Sequence, residues 1–309
     1  MKAGDALLDL ARADGRSSLF VVGTGKNAGK TVTMRAIATA AARRGMSIGL
    51  TSAGRDGETF DAVDAMAKPR LFLDAGTIVA TARTLLPPRL DFELLEETNW
   101  QTAAGAVVFA RVLRPAFYEL AGPPKASELR RCVERLHELG CQQVIVDGAI
   151  DRVAGLAGGG DAVIIAVGAD AGSTIDEAAA HARALVERLC LALYDPGKPF
   201  TKIEGALTSA AAAALLKKGE KRQVVVRDPT QIVIHGKEFL RIAARVQLRC
   251  ERPLRVVAAT VAPMGRERDF EAEAFRAAVA RETGLPVFDV YADAVSSADA
   301  SKGDAEWSR

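Results

Sequence analysis

Along the chain, short runs of β-branched and apolar residues alternate with longer Ala-rich stretches whose apolar positions recur at helical spacing. That alternation predicts a parallel sheet covered by helices on both faces. Ser18-Leu19-Phe20-Val21-Val22 reads as the first strand. Met34, Ile37, Ala38 and Ala41 then repeat at i, i+3, i+4, i+7 as the buried face of a helix, which Gly45 ends. A second strand, Ser47-Ile48-Gly49-Leu50-Thr51, runs into the polar loop Ala53-Gly54-Arg55-Asp56-Gly57-Glu58. Segments 77–82, 105–113 and 117–121 read as strands of an insertion or antiparallel excursion, punctuated by Pro87-Pro88 and Pro123-Pro124. A helix from about Ala126 to Leu139 leads into the strand Val144-Ile145-Val146-Asp147, and the strand Ala162 to Val167 precedes a helix from about Thr174 to Leu193.

Beyond residue 200, strands near 224–227, 231–234 and 254–261 alternate with helices near 237–245 and 269–283, and Pro286-Val287-Phe288 is a last short strand. No fixed-period repeat is visible. The pattern predicts an α/β fold with a doubly wound, mostly parallel sheet over residues 1–200 and a C-terminal α/β extension over 201–309, the two either separate or continuous.

Composition narrows the function classes. Forty-one basic residues stand against thirty-nine acidic ones, without a dense Lys/Arg block, so nucleic acid is not an expected partner. Cys132, Cys141, Cys190 and Cys250 show neither C-x-x-C nor zinc spacing, which fits a reducing cytoplasm. The N-terminal stretch carries acids among its apolar residues, unlike a secretory signal, and no run reaches the roughly 18 apolar residues of a membrane span. A soluble, cytoplasmic protein without membrane contact is expected.

The chemistry is concentrated between the first strand and its helix. Gly23-Thr24-Gly25-Lys26-Asn27-Ala28-Gly29-Lys30-Thr31, followed by Val32, sets a Gly-rich turn before a helix N-terminus. Closely spaced backbone N–H groups and the positive end of the helix dipole make such a turn a polyphosphate cradle. Gly25 and Gly29 allow close approach, Lys30 is expected at the β- and γ-phosphates, and Thr31 on Mg²⁺. The segment departs from G-x-x-x-x-G-K-[ST] at its first position, where Thr24 stands and the glycine lies one place earlier. Asp147, at the end of an apolar strand and before Gly148-Ala149, is the second metal candidate. Asp56, with Arg55 in the loop after the second strand, is a third, able to order Mg²⁺ or an attacking group.

Other features read as structural. Thr98-Asn99-Trp100-Gln101-Thr102 is an ordinary loop with one packed Trp, His137, His181 and His235 are structural or solvent-facing, and Asp228-Pro229-Thr230 is a strand-end turn. Thr201-Lys202-Ile203-Glu204 is only a faint likeness of a guanine-reading N-K-x-D and does not establish GTP.

Gly23 to Thr31 resembles the G-T-x-x-x-x-G-K-T loop of the dethiobiotin synthetase and cobyrinic acid amide synthase group, and Val144 to Ala149 resembles that group's V-V-E-G-A strand end. The resemblance implies a P-loop NTPase fold binding ATP, with GTP left open, and Mg²⁺. The enzyme-specific features differ: Leu50-Thr51-Ser52 replaces the Y-K-P of the synthetase. Segments 51–58, 75–82, 119–123 and 146–152 are similar to the P-loop subunit of a reactivating factor for lysine 5,6-aminomutase. That likeness implies ATP hydrolysis coupled to remodelling a protein partner, either a cobalamin-dependent aminomutase or a second reactivase subunit, and leaves room for a homodimer. The alternative is a small-molecule kinase or ATP-dependent ligase, with its substrate beside Asp56 and Thr98–Thr102.

Overall fold

The computed structural model describes residues 2–15, 17–53, 70–87, 91–148, 161–217 and 219–292. In chain order its elements are α1 (Ala3–Arg12), β1 (Ser18–Gly23), α2 (Lys30–Arg43), β2 (Ile48–Ser52), β3 (Leu71–Leu73), β4 (Ile78–Ala82), β5 (Phe92–Thr102), β6 (Gly105–Val112), β7 (Ala116–Tyr118), α3 (Ala126–Glu138) and β8 (Gln143–Gly148). There follow β9 (Ala162–Gly168), α4 (Ile175–Leu189), β10 (Phe200–Lys202), α5 (Ser209–Lys217), β11 (Gln223–Val226), α6 (Gly236–Ala243), β12 (Leu248–Cys250), β13 (Arg255–Ala262), α7 (Ala272–Thr283) and β14 (Val287–Asp289).

Nine strands form one sheet in the order β14-β13-β9-β1-β8-β2-β4-β6-β5. All neighbours from β14 to β4 run parallel, and β6 and β5 close the far edge antiparallel. The protein is therefore α/β with a large, mostly parallel central sheet. Every residue of β1 and β9 is buried, as strands covered on both faces must be. Phe20, Val22, Val144, Val146, Val163 and Ile165 join the core under α3, α4 and α7. Their alternates Leu19, Val21, Ile145 and Ile164 join the core under α1 and α2.

Two helices hand the chain to the next strand through the same device. Gly45 (φ 68°) and Gly140 (φ 94°) take left-handed conformations after α2 and α3. The Met46 and Cys141 amides then donate back to Ala41 O (3.0 Å) and Leu136 O (3.1 Å), which satisfies the carbonyls of each last turn.

Residues 200–250 build a separate three-stranded parallel sheet, β10-β11-β12, with its own core of Leu207, Val224, Val226, Phe239, Ile242 and Leu248. The chain then returns to the large sheet, where β13 pairs with β9 and β14 with β13. The expected extension from residue 201 is thus divided between the two sheets. The expected strand near 231–234 is reduced to a single parallel bridge from Ile232 to Leu207, after a short turn, Pro229–Gln231, capped by Asp228, whose carboxylate accepts from Thr230 N (3.0 Å). The expected loop at 98–102 is the end of β5. An edge strand half open to solvent carries no apolar run, and its Glu93 and Glu96 pair with Arg111 (2.6 Å) and Arg135 (2.7 Å). Among the described residues no helix is long and apolar enough to cross a membrane.

A polar cluster sits at the opposite, N-terminal edge of the central strands. Ser18 Oγ lies 2.9 Å from His137 Nε2, and His137 Nδ1 lies 2.9 Å from the Cys141 carbonyl, to which it donates. Arg130 donates to Asp161 at 3.0 Å. Burial pushes the Asp161 carboxyl up, opposed by the Arg130 charge. A raised folded-state pKa favours the protonated form, so this contribution is present below the ordinary carboxylate range and is lost as pH rises through the raised value. Asp161→Asn, uncharged and similar in size, removes that dependence. Its stability relative to the wild type should improve in denaturant unfolding between about pH 4 and about pH 7. An improvement on acidification instead would overturn the assignment.

Candidate functional site

The loop from Gly23 to Gly29 leaves the C-terminal end of β1 and enters α2 at Lys30. Thr24 N donates to Ala166 O on β9 (2.9 Å), so the loop starts clamped to the neighbouring strand. Asn27 (φ 57°) and Gly29 (φ 87°) are left-handed, the kind of backbone from which anion-binding nests of successive amides are built. The Lys30 stem lies across the loop: a Cβ added to Gly23 would sit 3.1 Å from Lys30 Cγ and 3.2 Å from Cδ. A Cβ at Gly25 would meet nothing within 4 Å among the described residues. Gly23 is thus crowded by Ala28 Cβ, at 3.0 Å, and by the Lys30 stem, whereas Gly25 borders open space.

Behind the loop the packing is close. Ala28 is buried, and Thr33 Oγ1 donates to Gly29 O (3.0 Å) while meeting Thr260 Oγ1 on β13 at 2.8 Å. Thr31 and Val32 are half-buried in the first turn of α2, Val32 against the core under α1 and α2. Tyr291 reaches the same corner, its Cε2 3.4 Å from where a Gly29 Cβ would stand, and burial raises its phenol pKa with help from Asp289.

Asp147 ends β8, opposite Val21 of β1 and Ser52 of β2, so the register brings it to the sheet edge where the loop begins. It is half-buried, with Oδ1 shielded from solvent. Asp56 and Arg55 fall outside the described residues, as does Ala149. Thr98–Thr102 is not brought to the loop, because β8, β2, β4 and β6 lie between β1 and β5. A substrate seat at those residues is therefore not part of this site. Trp100 instead packs edge-on against Phe109, with ring centroids 6.1 Å apart.

Beside the loop opens a cleft of about 440 Å³ that the sequence did not reveal. Thr24, Lys26 and Asn27 of the loop line it together with Asp170, His181 and Arg266. His181, expected to be structural or solvent-facing, is exposed and lines this cleft, with Nδ1 donating to the Ala171 carbonyl. Asp170 follows β9 and accepts from Arg266 N (2.9 Å) and Glu267 N (3.3 Å), fixing the 265–267 turn against β9. The polar position of Asp170 just beyond an apolar strand was a readable signal; the approach of Arg266, 96 residues later, was not.

Burial pushes the Cys132 and Cys141 thiols up to about 12, which disfavours a thiolate at either. Among the described residues no three His, Cys, Asp or Glu side chains cluster as a preformed metal site. Comparisons with protein-family models, curated proteins and solved structures return no match.

Gly168, at the end of β9, and Gly25, within the loop, make different demands. A Cβ at Gly168 would stand 2.8 Å from Ala28 Cα and 3.0 Å from Asn27 O, backbone that cannot move aside cheaply. Gly168→Ala should therefore cost about 1–3 kcal/mol in chemical denaturation. Gly25→Ala should stay within about 0.5 kcal/mol, as a change at an exposed position with room for a methyl group. Equal costs would show that the loop does not rest on β9 in this way.

Proposed function

We propose that this chain is a P-loop protein that binds a nucleoside triphosphate with Mg²⁺ and cleaves its terminal phosphate. The observation that carries the reading is the Lys30 stem folded back over Gly23 at the head of α2, beside a turn whose left-handed residues gather backbone amides. The buried Thr24 Oγ1, which has no hydrogen-bond partner among the described residues, fits a loop shaped for an oxygen-rich ligand. Gly25 to Thr31 would hold the phosphates through backbone amides, Lys30 would neutralise the β- and γ-phosphates, and Thr31 and Asp147 would hold Mg²⁺. The nucleotide, when bound, supplies the phosphoryl group. The protein contributes fixed positive charge and orientation, the main means of accelerating phosphoryl transfer.

The sequence likeness to the aminomutase reactivating factor supports coupling of hydrolysis to a protein partner, with ATP as the nucleotide. The cleft beside the loop favours a second reading, transfer to a small molecule. Phosphate release stimulated by a protein partner would support the first.

Saturating Mg·ATP, at about a hundredfold over Kd, should stabilise the protein by about 2.7 kcal/mol. Lys30→Ala should retain part of this binding, since the amides remain, and lose about two orders of magnitude or more in phosphate release. No thermal shift with either ATP or GTP, or full turnover in the saturated variant, would sink the proposal.

Asp147→Asn separates the metal from the nucleotide. Removing the charge while keeping the size should weaken nucleotide binding in Mg²⁺ more than in EDTA. Equal losses in the two titrations would assign Asp147 to the fold alone.

A further inference from the structure

We propose that the groove between the C-terminal ends of α4 and α6 is a binding site for a small organic carboxylate with an apolar body. It shares no lining residue with the cleft beside the loop and lies at the other end of α4 from the 168–171 turn. The inference goes beyond the nucleotide reading and does not rest on it.

α4 and α6 pack side by side. α4 stops at Leu189 and α6 at Ala243, and the segments that leave them, 190–192 and 244–249, border a groove of about 670 Å³. That volume is in the range of small-molecule sites. The buried Val186, Phe239, Val246 and Leu248 give it an apolar floor, and the short side chains of Ala192 and Ala244 leave it open.

The charge on its rim is positive. Arg245 and Arg249 both line the groove. The Arg245 guanidinium has no hydrogen bond or ion pair among the described residues, and that of Arg249 donates there only to Leu248 O, at 2.8 Å. The neighbouring acids are engaged elsewhere: Glu187 pairs with Arg183 at 2.7 Å, and Glu251, beyond β12, with Lys202 at 2.7 Å. Residues 200–250 as a whole carry ten Lys and Arg against four Asp and Glu, so the surrounding field also favours an anion. The two helix ends oppose it. Each contributes roughly half a negative charge, about one in total, against two full positive charges. A planar guanidinium fork is suited to a carboxylate, and the floor beneath it to a hydrocarbon body.

Octanoate serves as the probe, titrated calorimetrically into the full chain without nucleotide at constant ionic strength, with octylammonium as its cationic counterpart. Because no nucleotide is present, the result stands whether or not the protein binds ATP. Octanoate should bind with a Kd at or below about 1 mM, and octylammonium at least about tenfold more weakly. Arg245→Ala should weaken octanoate by at least about tenfold, and Arg245→Lys should recover part of the loss. Arg245 is exposed, so neither change should disturb the fold. Ala244→Phe keeps both guanidiniums and fills the groove from an exposed position with helical backbone (φ −68°), and it should also cost at least about tenfold. Failure of octanoate to bind overturns the site, as does octylammonium binding equally well. Octanoate binding that survives both Arg245→Ala and Ala244→Phe overturns it too, because the arginines would then serve only the helix ends.

Discussion

The contact on which the site depends is the seating of Ala28 against Gly168. β1 lies between β8 and β9, and the loop leaving it must turn over the end of one of them. It turns over β9, where Thr24 N reaches Ala166 O and the Ala28 backbone closes to a distance that only glycine at position 168 permits. With that contact made, α2 starts beside the strand ends, Lys30 folds over Gly23, and the amides of the turn are held together. The arrangement is preorganised, and on the proposed reading its fixed charge would act on a phosphate without first being ordered.

The cost of such a loop is borne by the packing around it. Left-handed Asn27 is unfavourable in isolation and persists only where its surroundings determine it. Here the determinants are buried: Ala28 in the core, and Thr33 bonded both to Gly29 O and to Thr260. α2 is thereby fixed to β13, a strand more than two hundred residues away in sequence.

What was legible in the sequence follows from where each segment sits. β1, β8 and β9 are buried on both faces and show as unbroken apolar runs, while Gly45 and the Gly-rich turn announce the helix beside them. The loop and Asp147 could be named for the same reason. β5 could not, because an edge strand rich in Glu shows no apolar alternation, and its pairing is settled by Arg111 and Arg135 from other elements. The cleft was hidden for a different reason. Its lining comes together only when β1, β9 and β13 lie side by side, and nothing in any of these segments signals the others.

α4 ties the cleft to the rest of the molecule. Its entry follows the 168–171 turn, and His181 on its second turn lines the cleft. Near its other end the buried Arg188 donates to Ile232 O at 3.1 Å and meets His235 Nδ1 at 2.9 Å, both in the 200–250 unit. A guanidinium taken out of water is tolerable only with its donors matched, so this end of the helix is held to its neighbour as firmly as a core contact. The three-stranded unit therefore does more than interrupt the path from β9 to β13. It braces the helix that carries His181, while the turn after β13 carries Arg266. Two of the cleft's side chains are thus positioned by parts of the chain that contribute no residue to the loop itself.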